Sequence, residues 1–142
     1  MATIIQIADA LVAELNAASF SLPFTAARAY VPRFDLEAMA ELRVTVVPKG
    51  VEIGGGTRAK SVHDYRLDIG VQQKLDSDDL AGLDALMALV EEIADYLRFR
   101  RLEGAPEAHR LGIENGPIYV TGHLHEMRLF TSVLTVSYRV MR

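Results

Sequence analysis

The chain has 142 residues, a length that suits one domain and lets it bury a hydrophobic core without covalent cross-links. It has no cysteine, which excludes disulfides, thiolate zinc sites and cysteine nucleophiles. Its formal net charge of -4 argues against a general nucleic-acid binder, and no apolar run is long enough for a membrane-spanning helix.

The first predicted element is an amphipathic helix near the N-terminus. Thr3 and Gln6 have the spacing of a capping box. An apolar stripe follows at helical spacing: Ile4, Ile7, Ala8, Leu11, Val12 and Leu15. Glu14 and Asn16 are assigned to the polar side, and the helix is predicted to end near Ala18-Ser19.

Two strands and a long connection are predicted next. The segment from Phe24 to Val31 alternates like a short strand, and a single helical turn is expected at residues 35–40. Leu42 to Val47 is the second strand, which Pro48 is predicted to end. Residues 49–63 then form a glycine-rich connection, which we interpret as a mobile loop.

The clearest pattern is a third strand followed by a long helix. Tyr65, Leu67, Ile69 and Val71 alternate with polar residues, so the strand has one apolar face. The aspartates at 76, 78 and 79 suit a helix start, since they lack the register of a calcium loop. The helix that follows carries this apolar stripe: Leu80, Leu83, Leu86, Met87, Val90, Ile93, Ala94 and Leu97.

Residues 100–117 are rich in glycine and proline and are predicted to be a second long loop. Ile118 to His125 and Phe130 to Met141 are the last two predicted strands. We expect residues 50–62 and 103–116 to be mobile.

These elements predict an α+β fold with the order α-β-β-β-α-β-β, in a single domain over residues 1–142. Two helices with one apolar stripe each must cover a sheet, so we expect both on one face of a mostly antiparallel sheet of four or five strands. The other face should be wet or meet a partner. It carries Arg43, Thr45, Asp68, Gln72, Thr135 and Arg139.

No pattern in the chain predicts catalysis or a bound cofactor. His123 and His125 share one strand face, but two ligands are too few for zinc, and His63 or Glu126 would have to join them. Two exposed histidines are the simpler interpretation, so no metal site is predicted. The glycines at 54–56 lack the spacing of a phosphate-binding loop. No serine lies in a nucleophile elbow, and we expect the protein not to be an enzyme.

Four segments resemble those of small tail-terminator and head-to-tail joining proteins of long-tailed phages and prophages. They are residues 24–30 (FTAARAY), 42–48 (LRVTVVP), 64–74 (DYRLDIGVQQK) and 132–140 (SVLTVSYRV). The helix that begins almost at residue 1 and the helix after the third strand also fit this family.

The resemblance implies a structural protein of the virion neck that forms a hexameric ring without a cofactor. The ring would cap the finished tail tube and dock to the head connector or another neck protein, and DNA would pass through its lumen without sequence-specific binding. Assembly would take place in the host cytoplasm. The resemblance brings no catalytic residues. Candidate partner contacts are the basic residues Lys49, Arg58, Lys60, Arg110 and Arg139.

Three alternatives remain open. One is another neck protein of similar size. Another is a non-catalytic module that binds a partner through its sheet edge or polar sheet face. The third is a small enzyme with a site at His123, His125 and the loop of residues 100–117.

Overall fold

A computed structural model describes residues 2–29, 41–75, 80–116, 118–122, 124 and 128–142. The described chain forms two helices and one five-stranded mixed sheet, which confirms the predicted α+β class and element order. The helices are α1 (Ile4–Ala17) and α2 (Leu80–Arg98). The strands are β1 (Ala26–Arg28), β2 (Arg43–Gly54), β3 (Val62–Lys74), β4 (His109–Asn115) and β5 (Leu129–Met141).

The strands are arranged in the order β1-β2-β3-β5-β4. β1 runs parallel to β2, and the other three pairings are antiparallel. β3 and β5 are paired along their whole lengths, from Val62 opposite Met141 to Lys74 opposite Leu129. This long central pair forms the middle of the sheet, and the short strands β1 and β4 lie at its two edges.

One face of the sheet is apolar and both helices pack on it. The alternation predicted for β3 is confirmed, since Tyr65, Leu67, Ile69 and Val71 are all buried. α1 packs on β1 and β2, whereas α2 packs on β4 and β5. The predicted capping box of α1 is also confirmed, since Thr3 and Gln6 exchange hydrogen bonds between side chain and backbone.

The prediction that Pro48 ends the second strand is wrong. β2 continues to Gly54 through a bulge between Pro48 and Gly50. The carbonyl of Val46 accepts a hydrogen bond from the Ala29 amide on the β1 side. Two residues further on, Pro48 turns its nitrogen to the same outer edge, where no β3 partner needs an N–H.

The fourth strand lies earlier in the chain than predicted. Residues 109–115, expected to be loop, form β4, and a bulge between Arg110 and Gly112 hides the alternation in the sequence. The predicted strand over residues 118–125 is wrong for its described residues. The Leu124 amide donates to the Val120 carbonyl in a helical turn instead.

The first predicted strand is also shorter than expected, because β1 has three residues. Phe24, expected in this strand, instead stacks its ring on Phe20, with 5.4 Å between the centroids. The rest of that strand, from residue 30, the helical turn at 35–40 and the aspartates at 76–79 lie outside the described residues.

Candidate interaction surfaces

The face of the sheet opposite the helices carries alternating charges that neutralise one another. Arg139 on β5 lies opposite Asp64 on β3, and its guanidinium donates to both carboxylate oxygens at 2.8 and 3.0 Å. These hydrogen bonds, together with the positive charge, lower the pKa of Asp64 below its ordinary value. Arg139, a candidate partner contact, is therefore already engaged within the chain.

A second group on this face surrounds Asp68. The Thr135 hydroxyl donates to the carboxylate at 2.8 Å, and the ammonium group of Lys49 lies 3.7 Å from the same oxygen. Arg66 lies 3.9 Å from Glu52 in a more exposed ion pair. Arg139, Lys49 and Arg66 on this face thus each lie beside a carboxylate, and Lys49 is another of the candidate contacts.

One end of the same face is buried, whereas the whole face was predicted to be wet or to meet a partner. Gln72 and Thr131 are both 6% exposed and lie 3.4 Å apart from amide nitrogen to hydroxyl. The Val120 amide donates to the Thr131 carbonyl, so the segment after β4 lies along the edge of β5 at this end. Only the part of the face nearer Asp64 and Asp68 is a polar open surface.

Arg58 and Lys60 lie in the connection between β2 and β3. The Thr57 amide donates to the Lys60 carbonyl at 2.9 Å, and the Thr57 hydroxyl accepts from the Lys60 amide at 3.2 Å. The connection is much shorter than the predicted loop, because residues 50–54 belong to β2 and pair with β3. The two basic side chains are exposed at the tip of a long hairpin.

Arg110 lies on the edge strand β4. It is paired with Tyr138 and lines an open groove of about 240 Å³ between α2 and β4. The groove is lined by Ala94, Asp95, Arg98, Arg110, Ile113, Asn115 and Leu134. The five candidate contacts therefore occupy three separate surfaces: the open sheet face, the hairpin tip and this groove.

A buried carboxylate that was not predicted from the sequence joins the two helices. Glu14 is 5% exposed, although it was assigned to the polar side of α1. Its carboxylate accepts from Arg100 Nε at 2.6 Å, from the Glu103 amide at 3.1 Å and from the Tyr96 hydroxyl at 3.3 Å. The signal was available, because Glu14 follows Ile7 by seven residues and so lies on the same side of the helix.

The charge state of Glu14 follows from these contacts. Burial by itself would raise the pKa of the carboxyl group, but the Glu103 amide and Arg100 outweigh it and lower the pKa below its ordinary value. Burial, which has the largest effect, and the negative charge of Glu14 raise the pKa of the Tyr96 hydroxyl. Glu14 is therefore an ionised structural link between α1, α2 and the chain after α2.

The residues considered for metal binding are not brought together in the described structure. His63 lies on β3 with its ring stacked on Tyr65 at 6.0 Å between centroids. His123, His125 and Glu126 lie outside the described residues. Among the residues that are described, no three histidine, aspartate or glutamate side chains form a metal-binding group. Neither described helix combines the length and hydropathy needed to cross a membrane.

No protein-family model and no curated protein sequence matches this chain.

Proposed function

We propose that the protein is a structural component of a phage neck: a tail terminator that forms a ring, caps the tail tube and joins it to the head connector. The observation that carries this proposal is the charge-balanced open face of the sheet. Its cations are paired with carboxylates, as in Arg139 with Asp64 and Lys49 with Asp68.

A neutralised polar surface is suited to a conduit for DNA. Free lysines and arginines bind phosphates and release counterions, so a lumen lined with them would hold the duplex in place. A lumen lined with paired charges would stay hydrated without retaining the phosphates. In this arrangement the helices face outward, and the sheet face with Arg66, Asp68 and Thr135 faces the lumen.

The edges of the sheet suit a ring as well. β1 pairs only with residues 44–46 of β2, so the outer edge of β2 from Val47 to Gly54 has no strand partner among the described residues. The outer edge of β4 has none either within the same described part of the chain. Contacts between unlike surfaces of identical subunits produce closed rings when their rotation closes.

The free outer edge of β2 also favours a second candidate, a module that binds an extended peptide as an added strand. This module would need no self-association and no tail tube. Binding of the chain to the ends of tail tubes separates the two candidates.

The test is a mixture of the purified chain with tubes assembled from the tail-tube protein of the same phage or prophage. A gold-labelled chain is located by electron microscopy. We expect label at one end of each tube and none along the sides. Label along the sides, or no binding, would contradict the proposed function.

A further inference from the structure

The hairpin formed by β2 and β3 exposes apolar side chains on the face that the helices cover elsewhere. Val51 lies opposite Tyr65, and Ile53 lies opposite His63, so both share the face of the hydrophobic core. Tyr65 is 3% exposed, whereas Val51 is 48% and Ile53 is 62% exposed. The hairpin thus extends the apolar face beyond the helices and leaves its end uncovered.

The tip of this hairpin is basic. Arg58 and Lys60 are exposed and make no ion pair with any residue that the structure describes. They are held in a defined turn by the two hydrogen bonds between Thr57 and Lys60. The hairpin therefore presents an apolar stem and a positively charged tip.

A surface with matching properties lies on α2, which packs on β4 and β5. Asp84, Glu91 and Asp95 are exposed and lie within about 20° of one line along the helix, because they are seven and eleven residues apart. Asp95 pairs with Arg98 at 3.5 Å. Asp84 and Glu91 have no ion-pair partner among the described residues.

The groove between α2 and β4 begins at Asp95, where this acidic line ends. Ala94, Ile113 and Leu134 form its apolar lining, and Asp95 lines it together with Arg98 and Arg110. From Ala94 to Asp84 the helix rises by about 15 Å. The hairpin covers a similar distance from Ile53 to its tip, roughly 10–15 Å for an extended chain. An Ile53 side chain in the groove would place Arg58 and Lys60 near Glu91 and Asp84.

We propose that the β2–β3 hairpin of one subunit docks on the α2–β4 surface of the next, with Ile53 in the groove and Arg58 and Lys60 against Asp84 and Glu91. β3 is paired with β5 along its whole length, as far as Val62 opposite Met141, so the hairpin stem is held in the sheet and cannot fold onto the groove of its own subunit. Their contact is therefore between subunits and heterologous, which is the kind that closes rings. This inference rests on the proposed ring and names the surfaces that form it.

Cross-linking tests the contact directly, because the chain has no cysteine of its own. The variant Ile53→Cys/Ala94→Cys is oxidised over a range of protein concentrations. We expect a ladder of disulfide-linked oligomers beyond the dimer, because each subunit offers one cysteine to each neighbour. The matched control is Ile53→Cys/Ile5→Cys, with Ile5 exposed on α1, and it should give no ladder. No ladder from the first variant, or equal ladders from both, would overturn the contact.

Charge exchange provides a second, independent readout. Arg58→Glu/Lys60→Glu and Asp84→Lys/Glu91→Lys should each weaken self-association by roughly tenfold, because two ion pairs become repulsions. An equal mixture of the two variants should restore association, since every contact in an alternating ring is then complementary. Failure of the mixture to restore it would overturn the assignment.

The sedimentation mass of the same samples distinguishes this inference from the proposed function. Ring-sized particles that form without the Ile53–Ala94 cross-link would overturn the proposed contact but not the proposed ring. A chain that stays monomeric at every concentration and gives no cross-link would overturn the contact, and tube-end binding then decides the function separately.

Discussion

Replacing Glu14 by glutamine should destabilise the protein more than any substitution of an exposed carboxylate on the helices. Glu14 accepts three hydrogen bonds, and two of its donors, the Glu103 amide and the Tyr96 hydroxyl, have no other acceptor among the described residues. Arg100 is partly exposed and regains water when the pair is broken, so its contribution is discounted.

The magnitude follows from the donors that remain. The amide oxygen of a glutamine can replace only one of the two carboxylate oxygens, so its NH₂ group faces either the Glu103 amide or both Arg100 and the Tyr96 hydroxyl. A buried donor without an acceptor costs about 1–3 kcal/mol, so we expect Glu14→Gln to lower the free energy of unfolding by about 2 kcal/mol. The matched control, Glu91→Gln on the exposed side of α2, should stay within about 0.5 kcal/mol of the wild type.

Urea denaturation at pH 7 measures both variants at a concentration where the chain is monomeric. The pH dependence adds a second signature, because the pKa of Glu14 is lower in the folded state than in the unfolded state. The stability that ionised Glu14 contributes is complete above the pKa of this group in the unfolded state, about 4.3, and is lost as the pH falls through its pKa in the folded state. The difference between wild type and Glu14→Gln should therefore shrink below about pH 4.3. Equal stabilities of Glu14→Gln and Glu91→Gln at pH 7 would refute this account.

Two further substitutions test the described contacts. Asn16 accepts from the Ala26 amide at 2.7 Å and donates to the Ala26 carbonyl at 3.1 Å. Asn16→Ala should therefore lower the free energy of unfolding in urea by about 2 kcal/mol and loosen β1. Hydrogen exchange at β1 as slow as in the wild type would contradict this. A Cβ at Gly56 would lie 2.6 Å from the Lys60 carbonyl oxygen, whereas one at Gly55 meets nothing within 4 Å. Gly56→Ala should therefore lower the free energy of unfolding by about 1–3 kcal/mol, and Gly55→Ala should leave it almost unchanged. Equal unfolding midpoints of the two variants would contradict the geometry of the tip.

Periodic patterns in the sequence predicted the helices and the central strands well. The stripe of α1, its capping box and the alternation of β3 are properties of neighbouring residues, so the sequence alone contains them. The same holds for the face shared by Asp68 and Thr135, which lie opposite each other on β3 and β5. These elements needed no knowledge of distant contacts.

The errors occurred where tertiary contacts override local signals. Pro48 is tolerated within β2 because its nitrogen lies at the outer edge of the strand, and that edge cannot be identified before the strand order is known. β4 contains a bulge beside Gly112, which breaks the two-residue period that predicts strands. The partner of Glu14 on the chain after α2 is 86 residues away, so only the side of the helix on which Glu14 lies could have been predicted.

The mobility expected for residues 50–62 and 103–116 has also to be revised. Residues 50–54 and 109–115 are in strands that pair with β3 and β5, so their paired amides should be protected from exchange. Rapid amide exchange along both strands of the hairpin would contradict this revision.

The central claim, that the protein forms a ring on the end of a tail tube, is tested most directly by counting its copies there. A single cysteine introduced into the cysteine-free chain carries one fluorophore per subunit. Photobleaching steps are then counted for each labelled tube. We expect fluorescence at tube ends with six photobleaching steps per end, as for a hexamer of the 15.7 kDa chain. Single-step spots, or fluorescence spread along the tubes, would contradict it.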